Sequence, residues 1–164
     1  MVARSTLIAF ALLLCACAPK PPPVLSQAEV QEFVKAYVAA FNAGDDSTLM
    51  GLIQHDAAVS SIASGRLYRG WDAINTSSGE NISAFARVSV SLGAVDVTPL
   101  ATDSALAVAP MVVNAEGFPR DGSGKLTSID YPGALTIIVK RTPDGLRLIH
   151  EHHSVRALAP AKGT

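Results

Sequence analysis

Cysteine is scarce in this sequence, and the position of the two that occur limits their role. Both Cys15 and Cys17 lie at the end of an apolar N-terminal run, so the rest of the chain has no disulfide framework. Aromatic residues make up 5% of the 164 residues and no basic patch occurs, which argues against nucleic-acid binding. The hydrophobic fraction of 49% is enough to bury the core of one domain.

The N-terminal run, residues 1–17, has the pattern of a secretory signal peptide: one arginine, an apolar stretch, then small residues. It is too short to span a bilayer as a helix. Its end, Leu14-Cys15-Ala16-Cys17, resembles a bacterial lipobox in which Cys17 is the lipidated residue. We therefore predict a lipid-anchored protein of the bacterial cell envelope. A plain cleaved signal and an uncleaved anchor are the alternatives.

Three further segments follow the signal. Residues 18–25 are rich in proline and predict an extended tether. Residues 26–157 form the predicted domain, and residues 158–164 a disordered tail.

The first helix has a clear start and end in the sequence. Ser26 and Glu29 form a capping box, and Gly44 is the expected stop. Between them, apolar residues recur at helical spacing and predict a wide buried stripe. These are Val30, Phe33, Val34, Tyr37, Val38 and Phe41.

The remaining elements are shorter helices followed by strands. A second helix is predicted over 47–53, and a third begins at Trp71. Short strands are predicted over 57–62 and 65–70. Longer β-rich segments follow at 85–97, 104–114, 127–140 and 146–155, with Pro110 marking an edge or a bulge. This order predicts an α+β domain whose curved antiparallel sheet wraps around the first helix.

The last strand carries three of the four histidines. Because alternate residues of a strand share a face, His150 and His152 should lie on the same face as Leu146 and Leu148. We therefore expect His150 and His152 to point into the fold. Glu151 and His153 should then point outward.

The chain resembles the SnoaL-like branch of the NTF2-like superfamily. The matching pieces are Phe-Asn-Ala-Gly-Asp at 41–45, His-Asp-Ala at 55–57, Gly-Trp-Asp-Ala-Ile at 70–74 and the terminal strand at 144–154. The family usually has tryptophan where this chain has Leu146. The resemblance implies a cone, in which three N-terminal helices pack in a strongly curved antiparallel sheet around a deep cavity. It also implies a homodimer formed through the outer face of the sheet.

The superfamily contains polyketide cyclases, ketosteroid isomerases, dehydratases and non-catalytic binding modules, so the resemblance leaves three hypotheses open. The first, which we favour, is an envelope domain that binds a small ligand or a partner. The second is an isomerase, cyclase or dehydratase in which His150 or His152 works with Asp56 as acid and base. The third is a non-catalytic structural dimer. Catalysis is disfavoured because no acidic residue lies on the expected inner face of the last strand.

Several of the candidate residues have two interpretations. His150 and His152 could bond to a ligand in the cavity, or they could be packed under the helices with their hydrogen bonds satisfied inside the fold. Their spacing could hold a metal only with a third ligand such as His55 or Asp56, and we expect no metal and no cofactor. Asp56 could be an acid–base group or could cap a turn. Trp71 could anchor the third helix or stack on a ligand. The predicted ligand-binding set is His150, His152, Ser154, Tyr68, Trp71 and His55.

Overall fold

The computed structural model describes residues 24–63, 65–82, 87–117 and 127–156. Within these ranges the chain forms three helices, α1 (Gln27–Ala43), α2 (Asp46–Gly51) and α3 (Trp71–Ile82). The same ranges contain seven strands. They are β1 (Ser60–Ala63), β2 (Arg66–Arg69), β3 (Arg87–Leu92), β4 (Asp96–Pro99), β5 (Ser104–Gly117), β6 (Thr127–Thr142) and β7 (Gly145–Val155). The predicted signal peptide with Cys17, most of the predicted tether and the predicted tail at 158–164 lie outside the described residues.

Helix α1 confirms the prediction made from its caps. The Ser26 hydroxyl accepts a hydrogen bond from the Glu29 backbone N–H at 3.2 Å, and the Glu29 carboxylate accepts one from the Ser26 N–H at 2.9 Å. The helix ends at Gly44, whose φ of 64° is a left-handed conformation that glycine adopts without a steric penalty. The predicted stripe is buried at Val30 and Val34, so α1 lies along the core.

The strands form one curved sheet in the order β2-β1-β7-β6-β5-β3, with β4 also paired to β5. All neighbouring pairs are antiparallel except β1 and β7, which are parallel. The predicted α+β fold with a curved sheet is confirmed, but the sheet is mixed because this one pair is parallel rather than antiparallel. The two strands are separated by most of the domain, so no hairpin turn imposes an antiparallel pairing on them.

Pro110 lies inside β5, between β6 on one side and β3 and β4 on the other. Its carbonyl accepts a hydrogen bond from Gly93, in the connection between β3 and β4. In a strand the N–H and the carbonyl of one residue point to the same side. The N–H that proline lacks would therefore also face this side of β5, where the neighbouring strand changes from β3 to β4. Proline is tolerated at this interior position because the ladder is already interrupted there.

Strand β7 contains an irregularity that determines which side chains reach the interior. Val139 pairs with Leu148, whereas Ile138, the preceding residue of β6, pairs with His150. Ile149 is therefore an extra residue, a β-bulge, and the alternation of faces reverses beyond it. Leu148 is buried as expected, but the next buried residue is Glu151.

The main core lies between α1 and the inner face of β5 and β6. Val30, Val34, Ile137, Val139 and Leu148 are almost completely buried there. In the described parts of the chain, no helix combines the length and the apolar character needed to cross a membrane.

Candidate functional site

The cone contains a cavity of about 390 Å³ between the helices and the inner face of the sheet. Most of its walls are apolar. These side chains include Phe41, Leu49, Met50, Ile53, Ile74, Val88, Val90, Val113, Ala115 and Val155. Polar groups come from Tyr37, Ser61, Ser77, Ser78, Tyr131, Glu151 and His153. A mainly apolar cavity with a few polar groups is the usual form of a small-molecule site.

Four of these polar residues form one connected group, which we call the Glu151 cluster: Glu151, His153, Tyr37 and Ser61. The Glu151 side chain is buried, and the Ser61 hydroxyl donates a hydrogen bond of 2.6 Å to its Oε1. The Tyr37 hydroxyl donates to Oε2. Nε2 of His153 lies 3.2 Å from the same oxygen, close enough for an ion pair but not aligned as a hydrogen bond.

The charges of this cluster depend on one another. Burial alone would raise the pKa of Glu151, but the charge of His153 and the donated hydrogen bonds outweigh it and lower the pKa to about 2. Burial alone would lower the pKa of His153, but the Glu151 carboxylate outweighs it and raises that pKa. Burial and the neighbouring carboxylate both raise the pKa of the Tyr37 hydroxyl. The favoured state is a carboxylate beside an imidazolium, with a neutral tyrosine.

Three elements bring the cluster together. The bulge at Ile149 turns Glu151 and His153 to the inner face of β7. The parallel pairing of β1 with β7 places Ser61 directly opposite Glu151. Tyr37 reaches the same carboxylate from α1, which is 114 residues away in sequence.

The predicted facing of the histidines is therefore wrong. His150 and His152 lie on the outer face, where Nδ1 of His150 is 2.8 Å from the Ser60 hydroxyl. Ser154 is exposed on the same face and donates a hydrogen bond to the Ala134 carbonyl. The alternation of buried and outward residues holds as expected up to Leu148. Beyond the extra residue Ile149, the residues predicted to face inward face outward, and those predicted to face outward face inward.

The other predicted site residues are also outside the cone cavity. Tyr68 is half-buried and packs against the core. Asp56 accepts a hydrogen bond of 2.6 Å from the Ala58 N–H, so it caps a turn, as one of its two interpretations predicted. The described residues contain no group of three or more histidine, cysteine or acidic side chains able to hold a metal. The structure thus does not bring His150 or His152 together with Asp56.

His55 and Trp71 instead lie together in a second cleft of about 690 Å³. Their rings meet edge to face, with centroids 4.5 Å apart. The Trp71 indole N–H donates a hydrogen bond of 3.2 Å to the Met50 carbonyl. Trp71 therefore anchors the start of α3, as one of the two interpretations predicted.

The sequence alone does not indicate Glu151, His153 and Ser61 as cavity residues, and it indicates Tyr37 only as part of a helical stripe. One signal is present in the sequence: in a regular strand Val155 shares the face of Glu151 and His153, so the predicted facing would turn an apolar side chain outward together with them. Together with Glu151 and His153, Val155 lines the cavity. An apolar residue on the otherwise polar face of a predicted strand indicates that the alternation has shifted by one residue, as it does at a β-bulge.

The sequence matches the SnoaL-like domain family over residues 30–158. No curated protein matches the chain. Among solved structures it is similar to an NTF2-like superfamily protein from Salmonella enterica serovar Typhimurium. The TM-score is 0.67 and the identity 21%, over 84% of this chain and 96% of that one.

Two further solved structures are named as candidate dehydratases. One, of the NTF2-like family, is from Streptomyces avermitilis: its TM-score is 0.68 and its identity 24%, over 80% of this chain and 96% of that chain. The other, a candidate scytalone dehydratase from Novosphingobium aromaticivorans, has a TM-score of 0.65 and 10% identity, over 84% and 93% of the two chains. At these identities the likeness establishes the fold.

Proposed function

The chain belongs to the SnoaL-like family of the NTF2-like superfamily, and we propose that its cone binds a small, largely apolar molecule carrying a polar group. The observation that carries this proposal is the cavity of about 390 Å³, whose apolar walls surround the Glu151 cluster. Its volume lies in the range of small-molecule sites, and its polar groups are few and grouped, as recognition of one polar function requires.

The cluster also limits the charge of the ligand. Glu151 and His153 together are neutral, and Glu151 already receives hydrogen bonds from Tyr37 and Ser61. A charged ligand would bring an additional buried charge without a free counterion in this cluster. The His153 ring lines the cavity and carries two N–H donors when it is protonated. An uncharged ligand with an oxygen that bonds to this ring is therefore the best fit.

Two adjacent valines of β5 provide a matched test. Val113 lines the cavity, whereas Val112 is exposed on the outer face. Binding of the uncharged dye Nile red to the detergent-solubilised full chain should weaken at least tenfold in Val113→Phe, because the larger ring occupies the cavity. It should be unchanged in Val112→Phe. Equal binding by both variants and the parent, with folding checked by circular dichroism, would contradict the proposal.

A second candidate function is acid–base catalysis of an isomerisation, cyclisation or dehydration. Glu151 overturns the earlier argument against an enzyme, because an acidic side chain does lie on the inner face of β7. The two candidate dehydratases among the structural neighbours are compatible with this chemistry. In this function the Glu151 carboxylate would accept a proton from a carbon next to a carbonyl group and return it, while the His153 imidazolium would donate a proton to the carbonyl oxygen and take it back.

Exchange of carbon-bound protons tests this second function without knowledge of the substrate. The probe 2-tetralone is incubated with the protein in D₂O, and loss of its α-proton signals is followed by NMR. Catalysed exchange should disappear in His153→Gln and persist in His152→Gln, which changes the outer face. If exchange is no faster with the protein than in buffer alone, or is equally fast with both variants, catalysis is contradicted and ligand binding is left as the function.

We also propose that this domain works at a membrane, held by a lipid on Cys17. The support is the Leu14-Cys15-Ala16-Cys17 sequence behind an apolar run and the proline-rich segment that follows. The protein would then act in the bacterial cell envelope. The cone would be held a short distance from the lipid surface.

Homodimerisation through the outer face of the sheet is a further part of the proposal. Its support is the apolar surface on the outer face of β5, since Val155 of β7 lines the cavity. The outer face instead exposes Val108 and Val112 of β5, each more than a third exposed. Sedimentation should show a dimer that Val108→Lys weakens. A monomer at all micromolar concentrations would contradict dimerisation. A dimer whose cone binds no probe would instead support the third hypothesis, a non-catalytic structural dimer.

A further inference from the structure

The second cleft lies outside the cone, where α2, the start of α3 and the β6–β7 turn meet. Its volume is about 690 Å³, and we call it the Trp71 cleft. It shares only Met50 and Ile53 with the lining of the cone cavity. The function proposed for the cone does not use it.

One wall of the Trp71 cleft is a fixed aromatic pair. The Trp71 ring is held by its N–H bond to the Met50 carbonyl and by the edge-to-face contact with His55. The backbone on both sides is also held. The Gln54 N–H donates a hydrogen bond of 2.9 Å to the Leu148 carbonyl, and the Trp71 N–H donates one of 3.1 Å to the Asp56 carbonyl. A ligand would therefore meet a wall that needs little ordering on binding.

The other walls carry polar side chains of several chemical kinds. Asp46 begins α2, Asn75 lies on α3, Asp144 is in the β6–β7 turn, and Gln54 and Arg147 complete the set. The Arg147 guanidinium donates a hydrogen bond to the Leu146 carbonyl and is not within ion-pair distance of Asp46 or Asp144. Hydrogen-bond donors and acceptors, including positively and negatively charged side chains, thus face one space beside an aromatic ring.

We infer that the Trp71 cleft binds a neutral saccharide. Each sugar hydroxyl donates and accepts at once, so vicinal hydroxyls can bond to a carboxylate such as Asp144 and to Arg147 or an amide together. The C–H face of a sugar ring can pack on the Trp71 indole. An anionic ligand would be repelled by the carboxylates of Asp46 and Asp144, and a cationic ligand would be repelled by Arg147. A purely apolar ligand would leave these polar groups without water or partners.

The chain contains one tryptophan, so its fluorescence reports on this cleft alone. The full chain, in a detergent without a sugar head group, is titrated with cellobiose, maltose and N,N′-diacetylchitobiose. We expect a saturable change with at least one of them. The affinity should fall roughly tenfold in Arg147→Met, which loses hydrogen bonds to a charged group, and should be unchanged in Arg66→Met.

A second variant, Asn75→Ala on the exposed side of α3, keeps the test decisive if Arg147→Met folds poorly. Cosedimentation with purified peptidoglycan distinguishes an envelope glycan from a soluble sugar as the source. Absence of any saturable change with all three sugars and no cosedimentation would overturn the inference. So would affinities for sugar unaffected by both Arg147→Met and Asn75→Ala. Val113→Phe, which fills the cone, should leave sugar binding intact.

Discussion

Glu151 and His153 face the same cavity from successive inward positions of β7, with Nε2 of the histidine 3.2 Å from Oε2 of the carboxylate. Glu151 is buried, so its charge depends on this histidine and on the hydroxyls of Tyr37 and Ser61. The same pair is the polar element of the ligand cavity and an electrostatic link within the fold. Its properties can therefore be tested through stability as well as through binding.

The stability of the fold should depend on pH through this pair. The pKa of Glu151 falls from 4.5 to about 2 on folding, so its contribution is present above pH 4.5 and is lost as the pH falls toward 2. The pKa of His153 is raised above 6.5, so its contribution is present below pH 6.5 and is lost as the pH rises through the raised value. Urea unfolding should show the highest unfolding free energy between these limits.

The alkaline side of that profile is the specific test. Glu29 and Asp45 also have lowered pKa values and contribute to the acid side. His153→Gln should remove the decline above pH 6.5, while substitution of the exposed His55 by Gln should leave it in place. A decline of the same size in both variants would show that the pair does not govern it.

Ser61 and Ser60 are neighbours on β1 that face opposite sides of the sheet. Ser61→Ala removes the donor to Oε1 of buried Glu151 and should lower the unfolding free energy by about 1.5–3 kcal/mol, the range for hydrogen bonds to charged groups. Ser60→Ala removes a half-buried contact with His150 and should cost about 1 kcal/mol or less. Chemical denaturation compares them, and equal losses would contradict the assigned facing.

Gly133 is required by close packing of β6 against β7. A Cβ at this position would lie 2.0 Å from the Ser154 carbonyl oxygen, a backbone atom. Gly133→Ala should therefore lower the unfolding free energy by about 2 kcal/mol or more. Gly51, at the end of α2, has no atom within 4 Å of such a Cβ, and Gly51→Ala should be neutral or stabilising by up to about 1 kcal/mol. Thermal unfolding that ranks the two variants in the opposite order would be inconsistent with this packing.

Anchoring at Cys17 predicts a clear difference between the two cysteines. Cys17→Ala should move the protein from the membrane to the soluble fraction, because it removes the residue that carries the lipid. Cys15→Ala should stay on the membrane. Fractionation and mass spectrometry of the N-terminus distinguish the cases: Cys17→Ala that remains on membranes with an uncut N-terminus would indicate an uncleaved anchor instead.

The elements of the fold could be predicted because their signals are local. Ser26 and Glu29 meet within one helical turn, Gly44 ends the helix by its own backbone preference, and the apolar stripe has helical spacing. The same holds for the start of α3 at Trp71 and for the turn between β6 and β7. Matches in this order along the chain were enough to indicate the SnoaL-like family, which the family comparison confirms.

The site depended on the tertiary structure because its geometry is set by pairing between distant strands. Alternation of faces holds only where neither strand has an extra residue, and the bulge at Ile149 is defined by its pairing with β6. Ser61 reaches Glu151 through a parallel pairing that no turn encodes, and Tyr37 reaches it from α1. The sequence alone determined the helices, most of the strands and the family. Packing decided that the segment predicted over 85–97 divides into β3 and β4, and that Glu151 and His153, rather than His150 and His152, face the cavity.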